Sequence, residues 1–364
     1  MALAVSHRIP DRCDFVAICV ASLFYWIPKH RMSDSRSISV GFDTATRDLL
    51  LAQLPDLLFD LERDSDWCAS PPAQAYLNFY GINFAKTMPN VIQGFGALKT
   101  HGFRIASHYW LPANPKGTLI VVHGYYDHMG IFGNAIQFGL ENGLAVLAFD
   151  LPGHGLSSGE QVAIDSFNQY ADVLDALLLA AQKLLPAPYF AVGQSTGGSV
   201  LLNYLWRYDA LRTEPLLTHI ALCAPLILPR GWRYSGRLLY ALVHRFIKRL
   251  PRGRSHSSHD ERFNRFVDAQ DCLQSPTLSV RWVSAMKEWD KQFRQFPPLS
   301  QPVLVVQGDE DMTVTWRYNL RQIQRVLPNA QIAMVPGAGH QLVNETDELR
   351  APVFGAISRH FFGK

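Results

Sequence analysis

The sequence predicts an α/β fold built on a mostly parallel, doubly wound sheet. Three observations carry this expectation. Short, continuous apolar runs at 118–122, 144–149, 189–192, 219–223, 303–306 and 332–335 have the length and composition of buried strands. Segments with helical periodicity separate them, at 129–142, 166–185, 199–208 and 316–327. Small or polar residues stand at the strand ends: His123-Gly124, Asp150, Ser195, Gly308-Asp-Glu-Asp311 and Gly337-Ala-Gly-His340. Open sheets of this kind place their sites at those ends.

The chain has 364 residues, 48% of them hydrophobic and 18% charged, enough for a sizeable core. Its net charge of +3 (34 basic against 31 acidic residues) is too even to imply nucleic acid. Five cysteines (13, 19, 68, 223 and 272) are scattered, with no CxxC and no zinc-like spacing, so reduced thiols and a cytosolic setting are expected.

In chain order, residues 1–40 form a tail. Its apolar run, 15–27, is shorter than the ~20 residues a spanning helix needs. Pro28-Lys-His-Arg31 follows in place of a small-x-small cleavage site, so neither signal nor anchor is expected, and Met32 is an alternative start. Residues 41–90 read as a helical extension. Asp43 or Thr44 caps a leucine-rich run that Pro55 bends or splits, and Pro71-Pro72 opens a further helix. Runs at 92–99 and 103–111 form a hairpin about Thr100-His-Gly102. The core is expected over 91–225 and 298–364, interrupted by a helical, basic insert at 226–297. From Arg230 to Arg254 this insert has eight Lys/Arg and no acid. As one helix it would carry Arg245, Lys248, Arg249 and Arg252 on one face and Leu239, Val243, Phe246 and Leu250 on another.

The chemistry centres on Gly193-Gln-Ser-Thr-Gly197, between a buried strand and a helix. In that context Ser195 sits on a sharp turn that exposes its hydroxyl as a nucleophile. The base candidate is His340, after the last strand, and the acid lies in Gly308-Asp-Glu-Asp311, after the strand before it. Spacing alone does not choose among Asp309, Glu310 and Asp311. Serine, acid and histidine in that order is the order of the α/β-hydrolase triad. Two backbone amides should hold an oxyanion: Thr196, following the nucleophile, and Tyr125, after His123-Gly124. His154 reads as structural. His256, His259 and Asp260 read as a solvated loop, and no metal or organic cofactor is expected.

The chain resembles α/β-hydrolases of the monoacylglycerol lipase and lysophospholipase group, also classed as serine aminopeptidase-like. The resemblance rests on His123-Gly-Tyr-Tyr-Asp-His128, Phe149-Asp-Leu-Pro-Gly-His-Gly-Leu-Ser157, Gly193-Gln-Ser-Thr-Gly-Gly198, Val305-Val-Gln-Gly-Asp-Glu-Asp311 and Gly337-Ala-Gly-His-Gln341. It implies a Ser195, Asp311 and His340 triad, with Asp309 the runner-up acid, and Tyr125 and Thr196 as the oxyanion donors. It also makes the insert a cap over the serine. The expected substrate is the carboxylic ester of a lipid, a lysophospholipid or monoacylglycerol, with peripheral membrane contact through the basic cap. A short-chain esterase and an aminopeptidase are the alternatives. The cap's 14 basic against 6 acidic residues over 226–297 speak against holding a free amine. An intact serine, acid and histidine speak against a non-catalytic binding protein, and a serine nucleophile against a dehalogenase.

Overall fold

The computed structural model describes residues 41–232, 236–253 and 257–363. The tail with Met32, and Arg233, Arg254 and His256 of the insert, lie outside the described residues.

Three helices, α1 (Thr44–Gln53), α2 (Leu61–Cys68) and α3 (Pro71–Phe79), and a single helical turn at Phe84–Thr87 open the described chain. The Asp43 carboxylate caps α1 by accepting the Thr46 N–H at 2.8 Å. Pro55 splits the leucine run: α1 closes at Leu54, because a residue before proline is pushed out of helical geometry. Residues 55–57 then lie along the outer strand of the sheet. Leu57 N–H donates to Ala97 O (3.0 Å) and Ala97 N–H donates to Pro55 O (2.8 Å). The extension thus covers an edge that would otherwise present unpaired amides.

The hairpin consists of β1 (Val91–Thr100) and β2 (Phe103–Pro112), with Thr100 opposite Phe103. His101 and Gly102 both have positive φ, the geometry of a two-residue turn that matches strand twist. The alternation follows: β3 (Thr118–Val122), α4 (Gly133–Glu141), β4 (Ala145–Phe149), α5 (Phe167–Ala181), β5 (Tyr189–Gln194), α6 (Thr196–Arg207) and β6 (Leu217–Cys223). After the insert come β9 (Val303–Gly308), α10 (Trp316–Val326), β10 (Gln331–Val335) and α11 (Asp347–Phe362); the last helix was not anticipated from the sequence. The eight strands lie in the order β1-β2-β4-β3-β5-β6-β9-β10, with the six from β4 to β10 parallel. Ile120 and Val122 of β3 enter one core, with α5, α6 and α10, while Leu119 and Val121 enter the other, with α4, α11 and the extension. Burial on both faces is why the strand is apolar throughout.

The insert holds α7 (Arg237–Val243), β7 (Arg249–Pro251), α8 (Glu261–Ala269), β8 (Thr277–Ser279) and α9 (Val280–Phe293). The single basic helix expected through 245–252 does not form. α7 stops at Val243, and β7 pairs antiparallel with β8. Pro251 is the local reason, since inside a helix it removes one hydrogen bond and clashes with the preceding turn. A tertiary reason is Arg249, whose guanidinium donates to Gln161 O (2.7 Å) and Thr277 Oγ1 (3.0 Å) and pairs with Glu160 (3.1 Å). The four cations therefore share no helix face.

Candidate active site

β5 delivers Ser195 to the centre of the sheet's C-terminal edge. The residue sits at φ 54°, ψ −112°, a strained conformation at the start of α6. Its backbone is fixed on both sides: Ser195 N–H donates to Cys223 O (2.8 Å), and Leu226 N–H donates to Ser195 O (3.1 Å). The turn also demands a missing side chain, because a Cβ on Gly197 would stand 2.1 Å from Val122 O.

His340 must return to that serine from β10, three strands away. At 4.7–4.9 Å per strand the gap is about 14 Å, within reach of a five-residue loop. The imidazole arrives with Nε2 2.8 Å from Ser195 Oγ and Nδ1 2.8 Å from Asp311 Oδ2. All three side chains are buried. Asp311 alone of the three candidate acids meets His340. Asp309 instead accepts the Gly337 N–H (2.7 Å) and is exposed, as is Glu310. The Asp311 carboxylate also accepts from Thr313 N (2.8 Å), Val314 N (3.0 Å) and Gln307 Nε2 (3.0 Å). Burial disfavours its charge, but His340 and these donors outweigh it and hold the carboxyl below its ordinary range.

Tyr125 and Thr196 both line a cavity of about 200 Å³ that opens over Ser195 and His340. Thr196 is the first residue of α6, where backbone N–H groups have no partner within the helix. The Tyr125 loop lies close to the serine: a Cβ on Gly124 would be 3.3 Å from Ser195 Cβ. The Tyr125 ring stacks on Trp282 at 3.8 Å, and its hydroxyl donates to Val162 O (2.8 Å) and accepts from Ser279 N (3.2 Å). Contacts to the insert therefore position one of the two candidate oxyanion amides. His123 accepts the Leu151 N–H at Nε2 (2.9 Å), which leaves Nδ1 to donate to Gly124 O (2.8 Å). His154 is buried, its Nδ1 3.0 Å from Pro152 O, and burial pushes it down to about 4. His259 bonds Glu345 through Nδ1, and Asp260 caps α8.

Several supports have no motif in the sequence. Gln194 Nε2 donates to His340 O (2.7 Å), tying the serine strand to the histidine loop. His340 N and Gln341 N both donate to Ser257 O of the insert, at 2.9 and 2.8 Å. Buried Glu345 accepts from Gly339 N (2.7 Å) and His259 N (2.8 Å). No spacing rule points to these groups; they meet only once insert and core are packed.

A second buried cluster joins the extension, the core and the insert. His128, in the loop after β3, places Nε2 2.9 Å from Asp271 Oδ2 of the insert, and both side chains are fully buried. Tyr80 of the extension donates to Asp271 Oδ1 at 2.8 Å. Burial opposes charge on both partners, but each outweighs it for the other: His128 lies above its ordinary value and Asp271 below. The Gly130 N–H, 3.2 Å from His128 Nδ1, favours a neutral ring, but the Asp271 carboxylate is nearer, at 2.9 Å, and charged, and its pull on the ring proton is the stronger.

The family model of serine aminopeptidase, S33, matches residues 113–347. A monoglyceride lipase homolog of Monkeypox virus is 26% identical over 271 residues, covering 70% of this chain and 93% of the viral one. The monoacylglycerol lipase of Mycolicibacterium smegmatis is 25% identical, covering 68% and 89%. Among solved structures, a soluble variant of monoglyceride lipase from Saccharomyces cerevisiae superposes with a TM-score of 0.62 at 18% identity, covering 72% of this chain and 92% of the yeast one.

The His128–Asp271 pair yields a pH prediction. With its value raised, His128 stabilises the fold below its ordinary 6.5 and loses that contribution as pH rises through the raised value. Asp271, lowered, contributes above the ordinary carboxylate value of 3.8 and loses it as pH falls through the lowered one. Asp271→Asn should therefore destabilise by about 3–5 kcal/mol near pH ~6, with the gap to wild type narrowing toward alkaline pH. Urea unfolding at stepped pH measures this, and a gap constant across the range would remove the proton from the pair.

The fold, the strand-end geometry and a family match over residues 113–347 converge: the chain belongs to the serine aminopeptidase S33 family of α/β-hydrolases.

Proposed function

We propose that the protein is a serine hydrolase of lipid carboxylic esters, working through Ser195, His340 and Asp311. The observation that carries this reading is the buried line of two 2.8 Å hydrogen bonds from Asp311 through His340 to Ser195 Oγ. Asp311 orients the ring so that Nδ1 carries its proton and Nε2 is free to accept. Ser195 attacks the ester carbonyl as His340 takes its proton, and the tetrahedral oxyanion is received by the Tyr125 and Thr196 amides. Collapse releases the alcohol, protonated by His340. A water activated by His340 then cleaves the acyl-enzyme and frees the acid. The lipid class is supported by the relatives named as monoglyceride and monoacylglycerol lipases. An aminopeptidase would need carboxylates placed to hold an amine, in an insert that is net basic.

Peripheral membrane contact belongs to the same proposal. In the insert, Leu238, Leu242 and Phe246 are 64, 65 and 86% exposed, with Arg237, Arg245 and Lys248 nearby in the chain. Exposed apolar side chains flanked by cations suit the surface of an anionic bilayer. No helix among the described residues is long and apolar enough to cross a membrane.

Four outcomes are expected. An alkyl fluorophosphonate labels the protein, and Ser195→Ala abolishes the labelling; Asp311→Asn lowers kcat by about 10⁴-fold while Asp309→Asn stays near wild type. The reverse ranking of the two acids, or labelling that survives in Ser195→Ala, removes the assignment. Across an acyl-chain series, monoacylglycerols of long chain are turned over faster than acetyl or butyryl esters; a short-chain preference, or faster cleavage of aminoacyl anilides, favours the alternative activities. Vesicles containing phosphatidylglycerol co-sediment wild type more than Phe246→Ser, and equal sedimentation would refute contact through this patch.

A further inference from the structure

The basic stretch of the insert separates its cations. Arg249 is paired with Glu160, while Arg237, Arg245 and Lys248 are exposed. Arg252 is turned the other way, into the cavity over Ser195, and among the described residues it is the one lysine or arginine lining it. Its guanidinium carbon lies over the Tyr126 ring, 3.9 Å from the centroid, next to the candidate oxyanion residue Tyr125. One Nη donates to Gln274 Oε1 at 2.6 Å, and the backbone N–H donates to Pro276 O at 2.9 Å. The side chain is half-buried, and no described carboxylate oxygen stands within 4.0 Å of it.

Two acids share the cavity wall. Asp127 is buried and accepts from Gln341 Nε2 at 2.9 Å; burial holds it above its ordinary range, against the pull of Gln341 and of the Arg252 charge acting through space. Asp268 is exposed on α8, where water screens it. Neither neutralises Arg252 by contact. An arginine held on an aromatic ring, with most of its five N–H donors unused by the described side chains, suits a planar or tetrahedral oxyanion.

We propose that Arg252 is a specificity residue, holding an anionic group of the ester, phosphate or carboxylate, beside Ser195. This rests on the reading of Ser195 as an esterase nucleophile. Anionic monoacyl esters are then preferred over the neutral monoacylglycerol of the same chain.

The test compares kcat/KM for three oleoyl-length esters in one non-ionic detergent: the monoacylglycerol, the monoacylglycerol 3-phosphate, and a glycerol monoester whose acyl chain ends in a carboxylate. Wild type should favour one anionic ester. Which one it favours tells whether the anion sits on the alcohol or at the end of the acyl chain. Arg252→Gln should reduce the ratio of anionic to neutral kcat/KM by about 10- to 100-fold, and Arg252→Lys by less, because it restores charge without the fork. As a measurement that needs no variant, glycerol 3-phosphate should compete with the neutral ester where glycerol does not, or, for the acyl-side anion, a free dicarboxylate should. A wild type without anion preference, or an unchanged ratio in Arg252→Gln, overturns the proposal. Fluorophosphonate labelling run in parallel separates the two failures. Absence of labelling in wild type ends the esterase reading, whereas intact labelling with no anion preference ends only the role of Arg252.

Discussion

A histidine carried by the last strand has to meet a serine three strands away, and much of this molecule is arranged around that reach. The loop 336–340 is long enough but has little cohesion of its own. It is held by Gln194 from the serine strand, by the Ser257 carbonyl of the insert, and by Glu345 from the chain just beyond. Each clamp acts on the backbone, so the imidazole keeps both ring nitrogens for Ser195 and Asp311. The insert is therefore part of what positions the histidine as well as a roof.

The same economy operates on the other side of the serine. Tyr125 is placed by Trp282 and Ser279, both from the insert, and His128 a few residues later is bound to Asp271. Tyr80 adds the extension to that pair. A buried ion pair is poor evidence for net stability, but removal of one partner leaves an uncompensated charge. The pair therefore couples three segments far apart in sequence to the loop that bears a candidate oxyanion amide. This gives residues 41–90 a structural connection to the site, in addition to covering the β1 edge.

The insert illustrates how charge counting in sequence loses direction. Eight cations in one stretch read as a single basic face. Pro251 and the pairing of β7 with β8 distribute the described ones among an acidic partner, the outer surface and the cavity over Ser195. The exposed apolar residues of this region and the inward arginine then suit two different tasks, surface contact and recognition of one group on a substrate.

The parallel sheet, the strand ends and the serine, acid and histidine loops were legible in the sequence, because buried strands are continuous apolar runs and a sharp turn requires glycine. Even there, local pattern left Asp309, Glu310 and Asp311 equivalent, and it favoured a helix where Arg249 enters a strand. Packing decided both. Asp311 is the acid that the chain turns toward His340, with Gln307 and two amides behind it, while Asp309 closes the neighbouring loop. Nothing in the spacing announced Glu345, Asp271 or the inward turn of Arg252. Those depend on which surfaces of insert, extension and core come together, and residues separated by scores of positions carry no periodic signal of a shared contact.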